Sequence, residues 1–180
     1  MNLGLTWGTR PAERTTPLPC DALCPRGGVR ADRAISIAAP PSTVFAWLCQ
    51  LRVAPYSYDL LDNLGRKSPR TRDPELVRLE VGQRFMTMFE LHSFVDGEWI
   101  TLRAKGVAVT YAVRPEGAGS RLHARVWFAG ARLLARGLAL GDLVMMRKQL
   151  LTLKALAERE AAAESLMAPA GPSTRRKAAR

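Results

Sequence analysis

The hydrophobic pattern changes period several times along the chain. Between Val29 and Ala38 (VRADRAISIA) apolar and polar positions alternate, with Ile35 and Ile37 two apart, and the segment reads as a strand. Pro40-Pro41 stops it. Ser42 then stands where a helix N-cap is expected, and Val44, Phe45, Trp47, Leu48 and Leu51 recur at helical spacing, which predicts a short amphipathic helix over 42–51. Pro55 breaks that helix. Tyr58, Leu60, Leu61 and Leu64 predict a second short helix over 57–64, closed by Gly65, and residues 65–75 form a charged, proline-bearing loop.

Period two then returns for about fifty residues. Strands are predicted at Phe85–Val95, Trp99–Ala104, Val107–Arg114 and Ser120–Ala129, separated by the turn signals Asp96-Gly97, Gly106 and Pro115–Gly119. Links this short join antiparallel neighbours, so the segment is a meander. Phe85–Val95 alternates imperfectly, with apolar residues on both faces. The last periodic element opens at Gly141-Asp142, read as an N-cap, and carries Leu143, Met146, Leu150, Leu153 and Leu156/Ala157 on one stripe. Run from Asp142 to Leu166, it is about 37 Å long at 1.5 Å per residue.

Two segments stand outside these periods. Residues 1–28 hold Pro11, Pro17, Pro19, Pro25 and Gly27-Gly28 and read as an irregular arm, which Trp7, Leu18 and Leu23 can pin to the body. Residues 169–180 read as a basic, disordered tail. The remainder, 29–168, is a single domain. Its order is one strand, two short helices, a meander and one long helix. A twisted sheet under a single long helix is α+β, and the helix covers only part of the concave face, leaving an apolar hollow.

Composition adds limits. With 180 residues and 47% apolar content the chain can bury a core without a disulfide or metal staple. The net charge of +11 favours weak attraction to phosphates or anionic surfaces, but the arginines are scattered rather than gathered in a stripe. Cys20, Cys24 and Cys49 suit a reducing compartment, and with His92 and His123 far apart they offer no zinc spacing. There is neither a signal-peptide pattern nor a membrane-length apolar run, so a cytoplasmic protein without a membrane span is expected. Nucleophile–base motifs, phosphate-cradling glycine loops and dinucleotide fingerprints are missing, which argues against the common hydrolase, kinase and oxidoreductase mechanisms.

The segment Ala34–Gln50 (AISIAAPPSTVFAWLCQ) resembles the first strand and helix of the START-related superfamily (SRPBCC, Bet v 1-like), and Tyr56–Leu64 (YSYDLLDNL) resembles the second helix of its bacterial polyketide cyclase/dehydrase-like branch. Thr6–Thr9, Leu18–Asp21 and Gly141–Arg147 are similar to the same group, so the resemblance spans roughly residues 5–165. It implies a helix-grip fold, a curved antiparallel sheet around a long C-terminal helix with two short helices after the first strand. It also implies a ligand cavity beneath that helix, and it carries no catalytic residue set.

Three functions follow as expectations. The first is binding or carriage of a small hydrophobic molecule, such as a lipid, quinone or polyketide-like compound, with no cofactor. Tyr56, Tyr58 and Asp59 would orient a polar end at the mouth, and Leu102, Tyr111, Met145, Met146, Leu150 and Leu153 would line the hollow. The second is a cyclase or dehydratase, for which Glu90 and His92, two apart on one strand, are the candidate acid/base pair. The third is a basic interaction module whose surface and tail contact nucleic acid or membrane, with no specific nucleic-acid target. His123 shares a strand face with Arg121, Arg125 and Trp127, opposite the apolar Leu122, Ala124, Val126 and Phe128, and is expected to be external. Ligand identity and oligomeric state are not readable at this level.

Overall fold

A computed structural model describes residues 4–23, 28–57 and 67–167. In chain order it has strand β1 (Thr6–Trp7), helix α1 (Pro11–Thr15), a 3-10 turn (Pro19–Leu23), β2 (Val29–Ile37) and α2 (Pro41–Cys49). Two further 3-10 turns (Gln50–Arg52 and Pro74–Val77) lead to β3 (Arg84–Phe85), β4 (Phe89–Val95), β5 (Trp99–Ala104), β6 (Val107–Glu116), β7 (Gly119–Phe128) and α3 (Arg132–Met167). The strands form one sheet in the order β1-β2-β7-β6-β5-β4-β3, antiparallel except for the β1–β2 edge. The sheet is curved and open, and α3 lies across one face, the expected α+β helix-grip arrangement.

The period-two phases decide what each face carries. Val29, Ala31, Ile37, Val109, Tyr111, Val113, Leu122, Ala124, Val126 and Phe128 point inward to one core with Phe45, Trp47 and Leu48 of α2 and Leu150, Leu153 and Leu156 of α3. The C-terminal half of α3 is also tied down by polar contacts. Glu160 accepts from Trp47 Nε1 at 2.8 Å and from Arg72 Nη2 at 2.6 Å, and Glu158 accepts from the Ala38 amide at 2.7 Å.

Several elements differ from the sequence expectation. The strand expected over Phe85–Val95 is cut into β3 and β4 by Met86 and Thr87, which take left-handed backbone (φ +46° and +66°), so the mixed alternation there marks a turn. Helix α3 begins at Arg132 and has 36 residues, about 54 Å. Gly141-Asp142 is therefore mid-helix and not a cap, because the Leu-, Ala- and Arg-rich stretch before it is helix-forming and Ala135 and Ala139 let it lie close to the sheet. The helix expected over 57–64 and the tail over 169–180 fall outside the described residues.

The arm is more ordered than its proline content suggests. Thr6 and Trp7 add a parallel edge to β2, and at Gly8 (φ +68°) a Cβ would come within 2.1 Å of the Ala34 carbonyl oxygen, so only glycine lets the chain pass. The arm then crosses the outer face of the sheet, where Leu18 and Cys20 pack on Ala108 and Ala112 with Leu23, Trp99 and Trp127 around them. His123, expected to be external, is buried there. Its Nε2 is 3.0 Å from Asp32 Oδ1.

Arg125 holds this layer together. Its Nε donates to Asp32 at 2.7 Å. Nη1 donates to the Thr16 carbonyl at 2.9 Å and to Asp21 at 2.7 Å, and Nη2 donates to the Glu13 and Arg14 carbonyls, both at 3.0 Å. Every N–H of the guanidinium is used. Alongside, Trp127 Nε1 donates to Asp21 at 2.7 Å, and Arg121 donates to Glu13 at 2.6 Å and to the Gly8 carbonyl at 2.6 Å. Burial works against the Asp32 charge, but hydrogen bonds from His123 and Arg125 hold its carboxyl below the usual range. An Arg125→Met variant is expected to lose about 3–5 kcal/mol of stability, because it strands Asp32 and three arm carbonyls. Urea unfolding would measure the loss. Arg125→Lys restores little, since an ammonium cannot supply the five-donor fork. Trypsin should also cut faster after Arg14 in both variants.

Candidate functional site

Among the described residues, two polar clusters lie in the apolar interior between sheet and helix. At the first, three segments converge on Gln149 of α3. Tyr111 Oη of β6 donates to Gln149 Oε1 at 2.7 Å. Gln149 Nε2 donates to the Pro55 carbonyl at 2.6 Å and approaches Met86 Sδ at 3.3 Å. Next to Pro55, Tyr56 is buried and meets the Trp47 ring edge-on at 6.0 Å between centroids. Burial pushes the Tyr111 phenol far up, so it is a neutral donor.

The backbone around this point is strained. Among the described residues, the non-glycine positions with positive φ are Tyr56 (+56°), Met86 (+46°) and Thr87 (+66°), and all are within one residue of a Gln149 partner. Left-handed backbone costs an L-residue about 1–2 kcal/mol, and a β-branched threonine is an outlier there. Strain of this kind gathers at ligand clamps and switch regions.

At the second place, Arg33 of β2 enters the interior beneath α3. Nη2 donates to the Gly4 carbonyl at 2.8 Å, to the Ala139 carbonyl of α3 at 3.0 Å and to Asp142 at 3.4 Å. Its Nε is buried with no hydrogen-bond partner among the described residues. Burial pushes the Asp142 carboxyl from its ordinary 3.8 up to about 6, against the pull of Arg33.

The residues expected to line a hollow separate accordingly. Leu102, Tyr111, Met146, Leu150 and Leu153 are buried on the inner side, whereas Met145 stands on the outer side of α3. Tyr56, expected at a mouth, is instead buried next to Pro55 near the Gln149 cluster, and Tyr58 and Asp59 lie outside the described residues. Glu90 faces solvent, its side chain 53% exposed and 3.9 Å from Arg103. The register slips between Leu91 and Ser93, so His92 sits in a bulge and the two-residue spacing no longer aligns it with Glu90. Burial pushes the thiols of Cys20 and Cys49 up to about 11 and about 12, which keeps them protonated. The outer β7 face is not free for a nucleobase, because the arm covers it.

Sequence reasoning passed over Gln149 and Arg33 and read Asp142 as a helix cap, yet each had a signal. Gln149 is three residues after Met146 and four before Leu153, Asp142 is four before Met146, and Arg33 is two before Ile35. All are polar residues on an apolar phase.

No protein-family model matches the chain, and no curated protein matches it. Solved structures do share its fold. The chain is 16% identical to the KanY protein over 73% of this chain and 99% of that one, with a TM-score of 0.50. A protein from Staphylococcus saprophyticus, SSP2350, is 14% identical over 73% and 93% of the two chains, also at 0.50. A protein from Nitrosospira multiformis is 12% identical over 74% and 99%, at 0.50. The likeness is one of fold: a curved sheet closed on one face by a long C-terminal helix.

Two expected outcomes test this interior. Asp142 binds a proton more readily folded than unfolded, so its contribution makes stability fall as the pH rises from about 4 to about 6. Asp142→Asn removes that slope. The stability of the variant relative to the native chain should rise by about 2 kcal/mol between pH 4 and pH 7 in urea titrations. Thr87→Gly relieves left-handed backbone and is expected to raise stability by about 1 kcal/mol in the same assay.

Proposed function

We propose that this chain is a START-related helix-grip protein that binds a small hydrophobic molecule bearing one hydroxyl or carbonyl group between the sheet and α3. The observation that carries the reading is the state of the Gln149 amide. One N–H has a strong acceptor in the Pro55 carbonyl, and the other, among the described residues, meets the thioether of Met86, a weak acceptor. A ligand oxygen is a better partner than sulfur. Displacing the Met86 side chain also acts on a turn that is already strained. The surrounding Leu102, Leu150 and Leu153 supply apolar contact, worth about 25 cal/mol per Å² of ligand surface removed from water.

The supporting pattern is an apolar site with a few convergent polar groups, the usual make-up of a small-molecule pocket. Native mass spectrometry of the chain after incubation with a cell lipid extract tests it, with a retained apolar species as the expected result. Gln149→Leu should weaken the oxygenated ligand about tenfold, the worth of one hydrogen bond, and leave a pure hydrocarbon probe unaffected. Failure of the chain to retain any apolar molecule would sink the reading.

A catalytic role in the same place, cyclisation or dehydration, would draw on Asp142 and not on Glu90 and His92. Its carboxyl, near 6 and next to Arg33, can both hold and give up a proton at neutral pH.

A further inference from the structure

Over its first four turns α3 is apolar on both sides. Ala135, Ala139 and Met146 face the sheet and are buried, whereas Leu133, Leu134, Leu138, Leu140, Val144 and Met145 stand between 38% and 86% exposed. At about 100° per residue these six fall on the arc opposite the buried stripe, interrupted by Gly137, Gly141 and Lys148. A helix lying on a globular core carries polar residues on its outward face. Here that face is aliphatic, a contiguous patch of the kind that marks an interaction site.

Charge says what covers it. From residue 132 to 148 the sequence has Arg132, Arg136, Arg147 and Lys148 against a single acid, Asp142, while Lys154 further on is already paired with Glu158 at 2.6 Å. That acid is turned inward, 3.4 Å from Arg33, so it does not offset Arg147 and Lys148, which are exposed. A second copy of the chain set against this face would bring like charges together. The patch also lacks the Trp and Tyr anchors on which protein interfaces depend. A lipid surface accepts aliphatic side chains without demanding a matching shape, and anionic headgroups satisfy the basic residues.

We propose that the N-terminal half of α3 docks on an anionic membrane surface. Leu133, Leu134, Leu138 and Val144 enter the acyl boundary, the basic residues sit at the level of the phosphates, and the helix axis lies in the membrane plane. This is surface docking. Among the described residues no helix is long and apolar enough to cross a membrane. The contact needs no cargo in the interior, so it stands or falls separately from ligand binding.

Co-sedimentation of the full chain with phosphatidylcholine vesicles, with and without phosphatidylglycerol, tests the inference at low and at physiological salt. The chain is expected to pellet with the anionic vesicles and to do so less as salt rises. Leu134→Asp/Leu138→Asp should reduce the partition coefficient at least about tenfold, and Lys148→Glu should weaken binding to anionic vesicles only. Both leucines are exposed, and far-ultraviolet circular dichroism checks that α3 persists. If the aspartates disturb the helix, Leu134→Ser/Leu138→Ser gives the same reading. A chain that stays in the supernatant with anionic vesicles overturns the proposal, as does unchanged partition of a folded double variant. A dimer that these substitutions dissociate, with no vesicle binding, also overturns it in favour of self-association.

Discussion

The molecule depends on one buried guanidinium. Arg125 is on the outer face of the central strand pair, where a charge without partners would be ruinous, and it is tolerated because five acceptors surround it. Three are carbonyls of the arm and two are carboxylates, Asp32 from the sheet and Asp21 from the arm. The arm, with few regular hydrogen bonds of its own, thus obtains its fixed position from a side chain more than a hundred residues away. A buried ion pair by itself is weak evidence for stability, since desolvation offsets much of the attraction. What matters here is geometry. The flat fork reads several backbone oxygens at once, and that selects one path for the arm.

With the arm in place both faces of the sheet are covered, but by different means. The outer layer is small and polar, with a satisfied network around a minor apolar cluster. The inner layer is the main core, and α3 grips it unevenly. Its C-terminal half is held by Leu150, Leu153 and Leu156 and by the carboxylates of Glu158 and Glu160. Its N-terminal half rests on Ala135 and Ala139, which contribute little buried area, and on Arg33 reaching up to the Ala139 carbonyl. One continuous helix therefore has an anchored end and a lightly held end.

Much of this was legible from periodicity. Strands β2, β5, β6 and β7 and helix α2 lie within a few residues of their expected bounds, because alternating phases with short turns leave few other solutions. The failures have physical causes. Gly141-Asp142 has the composition of a cap, and only tertiary packing of Ala135 and Ala139 shows that the helix passes through it. Phe85–Val95 was too apolar on both faces to reveal a turn made by Met86 and Thr87, since neither residue type signals left-handed backbone. The polar face of β7 was visible, but its partner is a proline-rich segment whose docking no local pattern encodes. In the site, Tyr56 and Tyr111 were readable as aromatic residues with a polar tip. Gln149 and Arg33 are hidden among the apolar members of their stripes, and Asp142 is disguised by its resemblance to a cap, although polar exceptions on an apolar phase are the informative positions.

The contrast between the two polar networks bears on where change can occur. A network in which every donor has a good acceptor is rigid, since any rearrangement gives up a full hydrogen bond. That describes Arg125. The interior is otherwise: among the described residues Gln149 has a thioether where an oxygen would serve better, Arg33 Nε has no partner, and backbone beside the Gln149 cluster is held in left-handed conformations. A folded chain seldom leaves such groups under-satisfied in its core without reason. These incomplete bonds lie beneath the helix that carries the exposed leucines, the Arg33 contacts within about two turns of them and Gln149 a further two turns along. A partner meeting the outer side of α3 and a molecule entering its inner side would therefore act on the same stretch of helix, the part held most lightly to the sheet.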